Sequence, residues 1–278
     1  GSEMCIRDRV KAANRIDRMM SATPTGMIAG RTLRYLKRDP RMVSLLLDIF
    51  LVPLLAAVPM LVNGGDEVRS PQAALIVTAI PFAVMLIATP MYVGSLISYD
   101  GTALWHHIEA SVTGEEDRRG RAIAVLLVTM PVSLVLAVVI TGWCGQWELL
   151  PVVMTEALGA LLLSTGIGSW MGVVNPIRVA ENRKGSGFNS GSSAGAGCLG
   201  GLLGMVAGIP VAIPMIALVV LVAIEENAWW SILLAFVGGL GWSFLVLHFG
   251  IVVGGRRLDR TWDKVLTVSY THLTLPTK

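Results

Sequence analysis

The sequence predicts an all-α membrane protein with six transmembrane helices, and three observations carry that prediction. The chain of 278 residues is 54% hydrophobic and only 15% charged, with a mean hydropathy of +0.66, a balance outside the range of soluble domains. Six segments, residues 43–62, 73–98, 121–141, 151–174, 199–223 and 229–253, are long enough to cross a hydrocarbon core, which takes about 20 apolar residues. Of the 22 Lys and Arg residues, Arg69 alone lies in the three short loops 63–72, 142–150 and 224–228, and the other 21 lie on the opposite side.

Positive residues in short loops are retained in the cytoplasm, so this asymmetry predicts a multi-pass protein of the bacterial plasma membrane with both termini inside. Trp143, Trp147, Trp229 and Trp230 fall in or beside the outer loops, where indoles favour the headgroup layer. The net charge of +3 comes from residues scattered around the spans and forms no basic face, which argues against nucleic acid as a partner. Cys5, Cys144 and Cys198 lie far apart and suggest neither a disulfide framework nor a metal site.

The two ends, residues 1–9 and 268–278, resemble translated sequencing-adapter read-through and are expected to be non-native. Between them the sequence divides into a cytoplasmic segment 10–42, a membrane domain 43–255 and a tail 256–267. Residues 184–201 are rich in Gly and Ser and read as a mobile cytoplasmic loop.

Ahead of the first span, Arg34, Lys37, Arg38 and Arg41 recur at helical spacing while Ile28, Ala29, Leu33 and Leu36 fall mostly opposite, the pattern of a basic amphipathic helix on a membrane surface. Asp39-Pro40 interrupts it, because the residue before proline disfavours the helical region and proline has no backbone donor.

Between spans two and three, Asp100 is suited to cap a helix on which Leu104, Trp105 and Ile108 form an apolar patch. Such a helix serves either as an interfacial anchor or as a docking knob for a soluble partner. His106, His107 and Glu109 suggest a metal at first sight, but adjacent histidines do not share a helical face, and a surface or partner-facing role is expected of the pair.

The order of these features resembles the permeases of actinobacterial type-2 ABC exporters. The resemblance covers about residues 27–255 and rests on the entry Leu33-Arg34-Tyr35-Leu36-Lys37-Arg38-Asp39-Pro40-Arg41 and on Tyr99-Asp100-Gly101-Thr102-Ala103-Leu104-Trp105, followed by Asp117-Arg118-Arg119-Gly120-Arg121. It implies that Arg34, Lys37, Arg38, Asp39, Pro40 and Arg41 belong to an elbow helix. It implies that Asp100, Gly101, Leu104, Trp105, Ile108 and Glu109 belong to a cytoplasmic coupling helix seated on an ATPase. It further implies a second permease half, identical or homologous. The short stretch 224–228 departs from the family's extracellular hairpin between spans five and six.

The chain carries no phosphate-binding G-x-x-x-x-G-K-[ST] cradle; residues 26–32 have the wrong spacing, with Arg31 in place of lysine. ATP and magnesium are therefore expected on a partner ATPase, with no cofactor, metal or catalytic residue on this chain.

Ionisable groups within spans are costly and mark candidate sites, here Asp48, Glu156 and His248. Asp48 and Glu156 suggest an alternative, an ion-coupled secondary transporter or a membrane assembly component. Gly166-Ile167-Gly168-Ser169 and His248-Phe249-Gly250 are similar to the serine and histidine segments of rhomboid intramembrane proteases, a remote alternative. Gly168 and Gly172, Gly200, Gly204 and Gly208, and Gly250 and Gly254 make small-xxx-small stripes expected to let helices pack closely.

Overall fold

A computed structural model describes residues 20, 23–38, 40–63, 70–176, 194–225, 228–263 and 265. Among these the chain is helical without a strand. In chain order the helices are α1 (Pro24–Arg38), α2 (Pro40–Asn63), α3 (Pro71–Ser95), α4 (Trp105–Glu109), α5 (Gly114–Cys144), α6 (Leu150–Val174), α7 (Ala194–Ile224) and α8 (Trp229–Asp259).

Local chemistry explains the boundaries. A single residue, Asp39, separates α1 from α2, as the Pro40 constraint requires. The Ser70 hydroxyl accepts from the Ala73 amide ahead of Pro71, which starts α3 with a preset φ. Thr113 and Glu116 close a reciprocal capping box at the start of α5, and Gly145 ends that helix at φ +72°, a conformation glycine adopts without penalty.

Among the described residues, five segments are long and apolar enough to cross a membrane: Pro71–Asp100, Gly114–Cys144, Trp147–Val174, Val206–Ile224 and Trp229–Asp259. The protein is thus an α-helical membrane protein. The predicted first span coincides with α2, a helix of 24 residues packed against α3 that is not among those five.

The apolar stretch of α6 is 78% buried, against 22% for those of α7 and α8, so α6 is the central post, touching α3, α5, α7 and α8. Glycines set how closely its neighbours approach. A Cβ added at Gly250 would sit 2.1 Å from the Gly166 carbonyl oxygen, and one at Gly172 would sit 2.4 Å from that of Gly94, so α8 and α3 meet α6 backbone to backbone. Outward-facing apolar residues such as Leu47, Val135, Ile213 and Val237 remain exposed, as suits a lipid-facing surface.

Trp143, Trp147, Trp229 and Trp230 are all exposed, close to the junctions of α5 with α6 and α7 with α8. Only four residues separate α7 from α8, too few for a helical hairpin. The predicted loop 184–201 lies largely outside the described residues, although α7 begins within it, at Ala194.

Candidate functional site: a buried ion-pair knot

At the end of the bundle away from those tryptophans, α3 gives way to a 3₁₀ turn, Ser98–Leu104, then to α4. Ser111, at φ +52°, reverses the chain into α5. This loop is fastened to the helices by charge. The first turn of α5 carries Glu115, Glu116 and Asp117, acids favoured at a helix N-terminus by the orphan amides there. Arg118 and Arg121 follow, and Arg121 shares a helix face with Asp117.

Asp117 is fully buried, and Arg118 and Arg121 nearly so. Arg118 Nε donates to Asp117 Oδ2 over 3.0 Å, while Arg121 donates to Asp117 Oδ1 from Nη2 over 2.9 Å and to Oδ2 from Nε over 3.0 Å. Arg121 also donates to the Leu96 carbonyl over 2.8 Å and pairs with the Asp100 carboxylate. From α1, Arg31 Nη2 donates to Asp100 Oδ2 over 2.7 Å. Three guanidiniums thus enclose two carboxylates.

His107 completes the knot. Its Nε2 lies 2.7 Å from Arg31 Nη2. A guanidinium has no acceptor, so Nε2 presents its lone pair, and the network assigns the ring proton to Nδ1. Nδ1 stands 3.1 Å from Asp117 Oδ1 but makes no aligned hydrogen bond, so that contact is electrostatic and not a directed bond. The Trp262 ring meets the imidazole edge-on at 6.4 Å. Asp259, at the end of α8, accepts from the Gly114 amide over 2.6 Å. Elements α1 and α5 therefore grip the loop directly, and α5 is itself bonded to the ends of α3 and α8.

Ligating atoms of Asp100, His107 and Asp117 lie within 4.8 Å of one another, spacing compatible with a metal. Guanidinium groups already bond both carboxylates, and three of them repel a cation. The arrangement is that of an ion-pair knot.

The sequence-based expectations for this loop need correction. Asp100 does not cap α4; it is buried between Arg31 and Arg121. The expected apolar patch is not one surface: Leu104 is fully buried with Ile97, Val173, Leu258 and Val265, Ile108 is half-buried, and Trp105 is exposed. His107 is buried instead of facing outward, because it is needed between Arg31 and Asp117. Gly101 sits in the 3₁₀ turn.

What the loop does expose is a polar triad around an indole. Trp105 donates from Nε1 to Glu109 Oε1 over 2.7 Å, and His106 Nδ1 lies 3.2 Å from Glu109 Oε2. The indole N–H, then His106, hold the Glu109 carboxyl below its usual range.

Ile28, Ala29 and Leu36 of α1 are buried, Arg34 is half-buried, and Lys37 and Arg38 are exposed. Pro40 and Arg41 begin α2, while Asp39, together with the side chains of Arg41 and Asp48, lies outside the described residues. Residues 26–32, whose spacing does not make a phosphate loop, are plain helix within α1.

Glu156 is buried on α6, and among the described residues neither carboxyl oxygen has a hydrogen-bond partner. Thr78 approaches it, but its hydroxyl donates to the Leu75 carbonyl over 3.0 Å. Ser169 and His248 are not brought together. The serine is buried and donates to the Thr165 carbonyl, while His248 is exposed against Phe249. Ser169 packs at the level of Gly254, six positions past His248 and about 9 Å along the helix. The hydrogen-bond reach that serine protease chemistry needs is missing.

Arg31, His107, Asp117, Arg118 and Arg121 were not among the predicted site residues. The i, i+4 spacing of Asp117 and Arg121 was the available signal; nothing local joins Arg31 to Asp100. No family model, curated protein or solved structure matches this chain.

Proposed function

We propose that this chain is the membrane-spanning permease subunit of an ATP-driven ABC exporter, coupled to a separate ATPase that carries ATP and magnesium, and that it works beside a second permease half. The observation that carries the proposal is the loop Ser98–Thr113: its outer face offers Trp105, His106 and Glu109, and its inner face is fastened through Asp100 and His107 to Arg31 of α1 and to Asp117 and Arg121 of α5, a helix itself bonded to the Leu96 carbonyl at the end of α3 and to Asp259 of α8. A push on such a loop is transmitted to several helices together, because a paired buried network resists deformation.

In this reading α2 is the first of six spans, α1 is the elbow helix, and the ends of the chain face the cytoplasm of a bacterial cell. The chain itself performs no bond chemistry; it converts the closure of the ATPase into helix rearrangement. Purification from native membranes in mild detergent tests this: a nucleotide-hydrolysing subunit in stoichiometric amount supports it, and its reproducible absence rejects it.

A second reading, an ion-coupled carrier, is favoured by one observation, the unpartnered carboxyl of Glu156. Transport that follows a proton gradient and is lost in Glu156→Gln would support the carrier.

A further inference from the structure

On α8, Val253, Arg256, Arg257 and Arg260 recur at i, i+3, i+4 and i+7 and share one stripe of the helix. Together with Trp170 of α6 they line an open cleft of about 290 Å³. The cleft exists because α6 and α8 touch just behind it: a Cβ at Gly254 would lie 2.6 Å from the Ser169 carbonyl oxygen and 3.1 Å from the Trp170 Cα. Backbone contact there leaves the side chains of Trp170 and the arginines to form the walls.

The three arginines are exposed, and among the described residues none forms an ion pair. The carboxylate closest in sequence, Asp259, is already engaged by the Gly114 amide. Orphan carbonyls at the end of α8 attract basic side chains, but that attraction falls off within the last turn and does not account for Trp170 across the cleft from them or for Val253 beside them. The position is informative: Val253 lies in the apolar part of the span, and the arginines follow within two turns, so the cleft straddles the border between hydrocarbon and headgroups.

We infer that this cleft binds the phosphate headgroup of an anionic phospholipid, with Arg256, Arg257 and Arg260 on the phosphate and with Trp170 and Val253 against the upper acyl chain. Guanidinium forks match phosphate oxygens in pairs, indoles settle at the headgroup level, and basic pockets between helices at a membrane face select acidic lipids. A free phosphate ion would use the arginines alone and leave the apolar wall bare. The same helix end also carries Asp259 on the Gly114 amide and, just beyond it, Trp262 against His107, so a bound lipid would brace the helix end that closes the knot.

The test is native mass spectrometry of the full chain released from detergent after titration with phosphatidylglycerol or phosphatidylcholine, with inorganic phosphate as competitor. The expected result is one phosphatidylglycerol retained per chain, preferred over phosphatidylcholine by at least about tenfold. That preference should be lost in the Arg256→Gln, Arg257→Gln, Arg260→Gln variant and kept in a charge-matched Lys37→Gln, Arg38→Gln, Arg119→Gln control. Arg257→Gln alone, with its exposed side chain, should reduce the preference without altering the size-exclusion profile. Equal retention in the triple variant, equal loss in the control, or displacement of the lipid by millimolar phosphate would each overturn the site.

Discussion

The guanidinium of Arg31 bonds the carboxylate of Asp100 across 69 positions of sequence, over 2.7 Å, and so ties the helix that precedes the membrane bundle to the loop between α3 and α5. Each end of that bond has a further partner. Arg31 reaches His107, and Asp100 receives Arg121. A residue that reads in isolation as a failed phosphate-loop lysine is the link between two elements.

Removing one member of a buried charge network leaves the others uncompensated, which costs about 3–5 kcal/mol. Asp117→Asn, which strands Arg118 and leaves Arg121 with Asp100 as its one remaining carboxylate, is therefore expected to destabilise the protein by about that amount. Thermal unfolding in detergent measures the loss. Adding Arg118→Met to that variant should recover part of it, since the pair then loses a buried cation along with its partner.

His107 serves as an acceptor for Arg31. His107→Gln retains an acceptor and is expected to unfold close to the wild-type temperature. His107→Lys adds a fourth cation beside three guanidiniums and is expected to cost about 2 kcal/mol or more. Parallel melting curves decide the matter; equal melting of the two variants would contradict the assigned role.

The glycines of α8 separate close packing from open surface. Gly250→Ala drives a methyl group toward the Gly166 carbonyl, 2.1 Å from the added atom, and should cost about 1–3 kcal/mol through forced separation of α6 and α8. Gly241→Ala meets nothing within 4 Å and should be neutral or stabilising by up to about 1 kcal/mol.

Glu156 divides the two functional readings. A buried polar group without a partner costs about 1–3 kcal/mol, so Glu156→Met should raise the melting temperature. If the chain is an ATP-driven permease, transport survives that substitution; if it is an ion-coupled carrier, transport disappears while the protein grows more stable.

The spans were legible because burial in lipid imposes a composition that a window of 20 residues reveals: five of the six predicted spans fall on the membrane-crossing segments found among the described residues, and the first falls on α2. The Gly168, Gly172, Gly250 and Gly254 stripes were legible for the same local reason. The knot was not. An Arg or an Asp in a loop reads as solvated, and nothing in the pattern around Asp100 tells that its partner is Arg31. Asp100 and Leu104 looked like a cap and a patch because helical spacing was the available rule, whereas the segment folds as a 3₁₀ turn that rotates both inward. His106 and His107 differ only in which of two adjacent faces meets Arg31.

The central claim is that the exposed face of α4 is where an ATPase docks, and a photo-crosslinking residue at position 106 tests it most directly. The His106 side chain is 75% exposed, so the replacement leaves the knot intact. In native membranes, irradiation should give an adduct whose second component is a nucleotide-hydrolysing subunit, and the same probe at Trp143, at the far end of the bundle, should give none. An adduct lacking such a subunit at position 106, with the protein folded and in its membrane, would contradict the account.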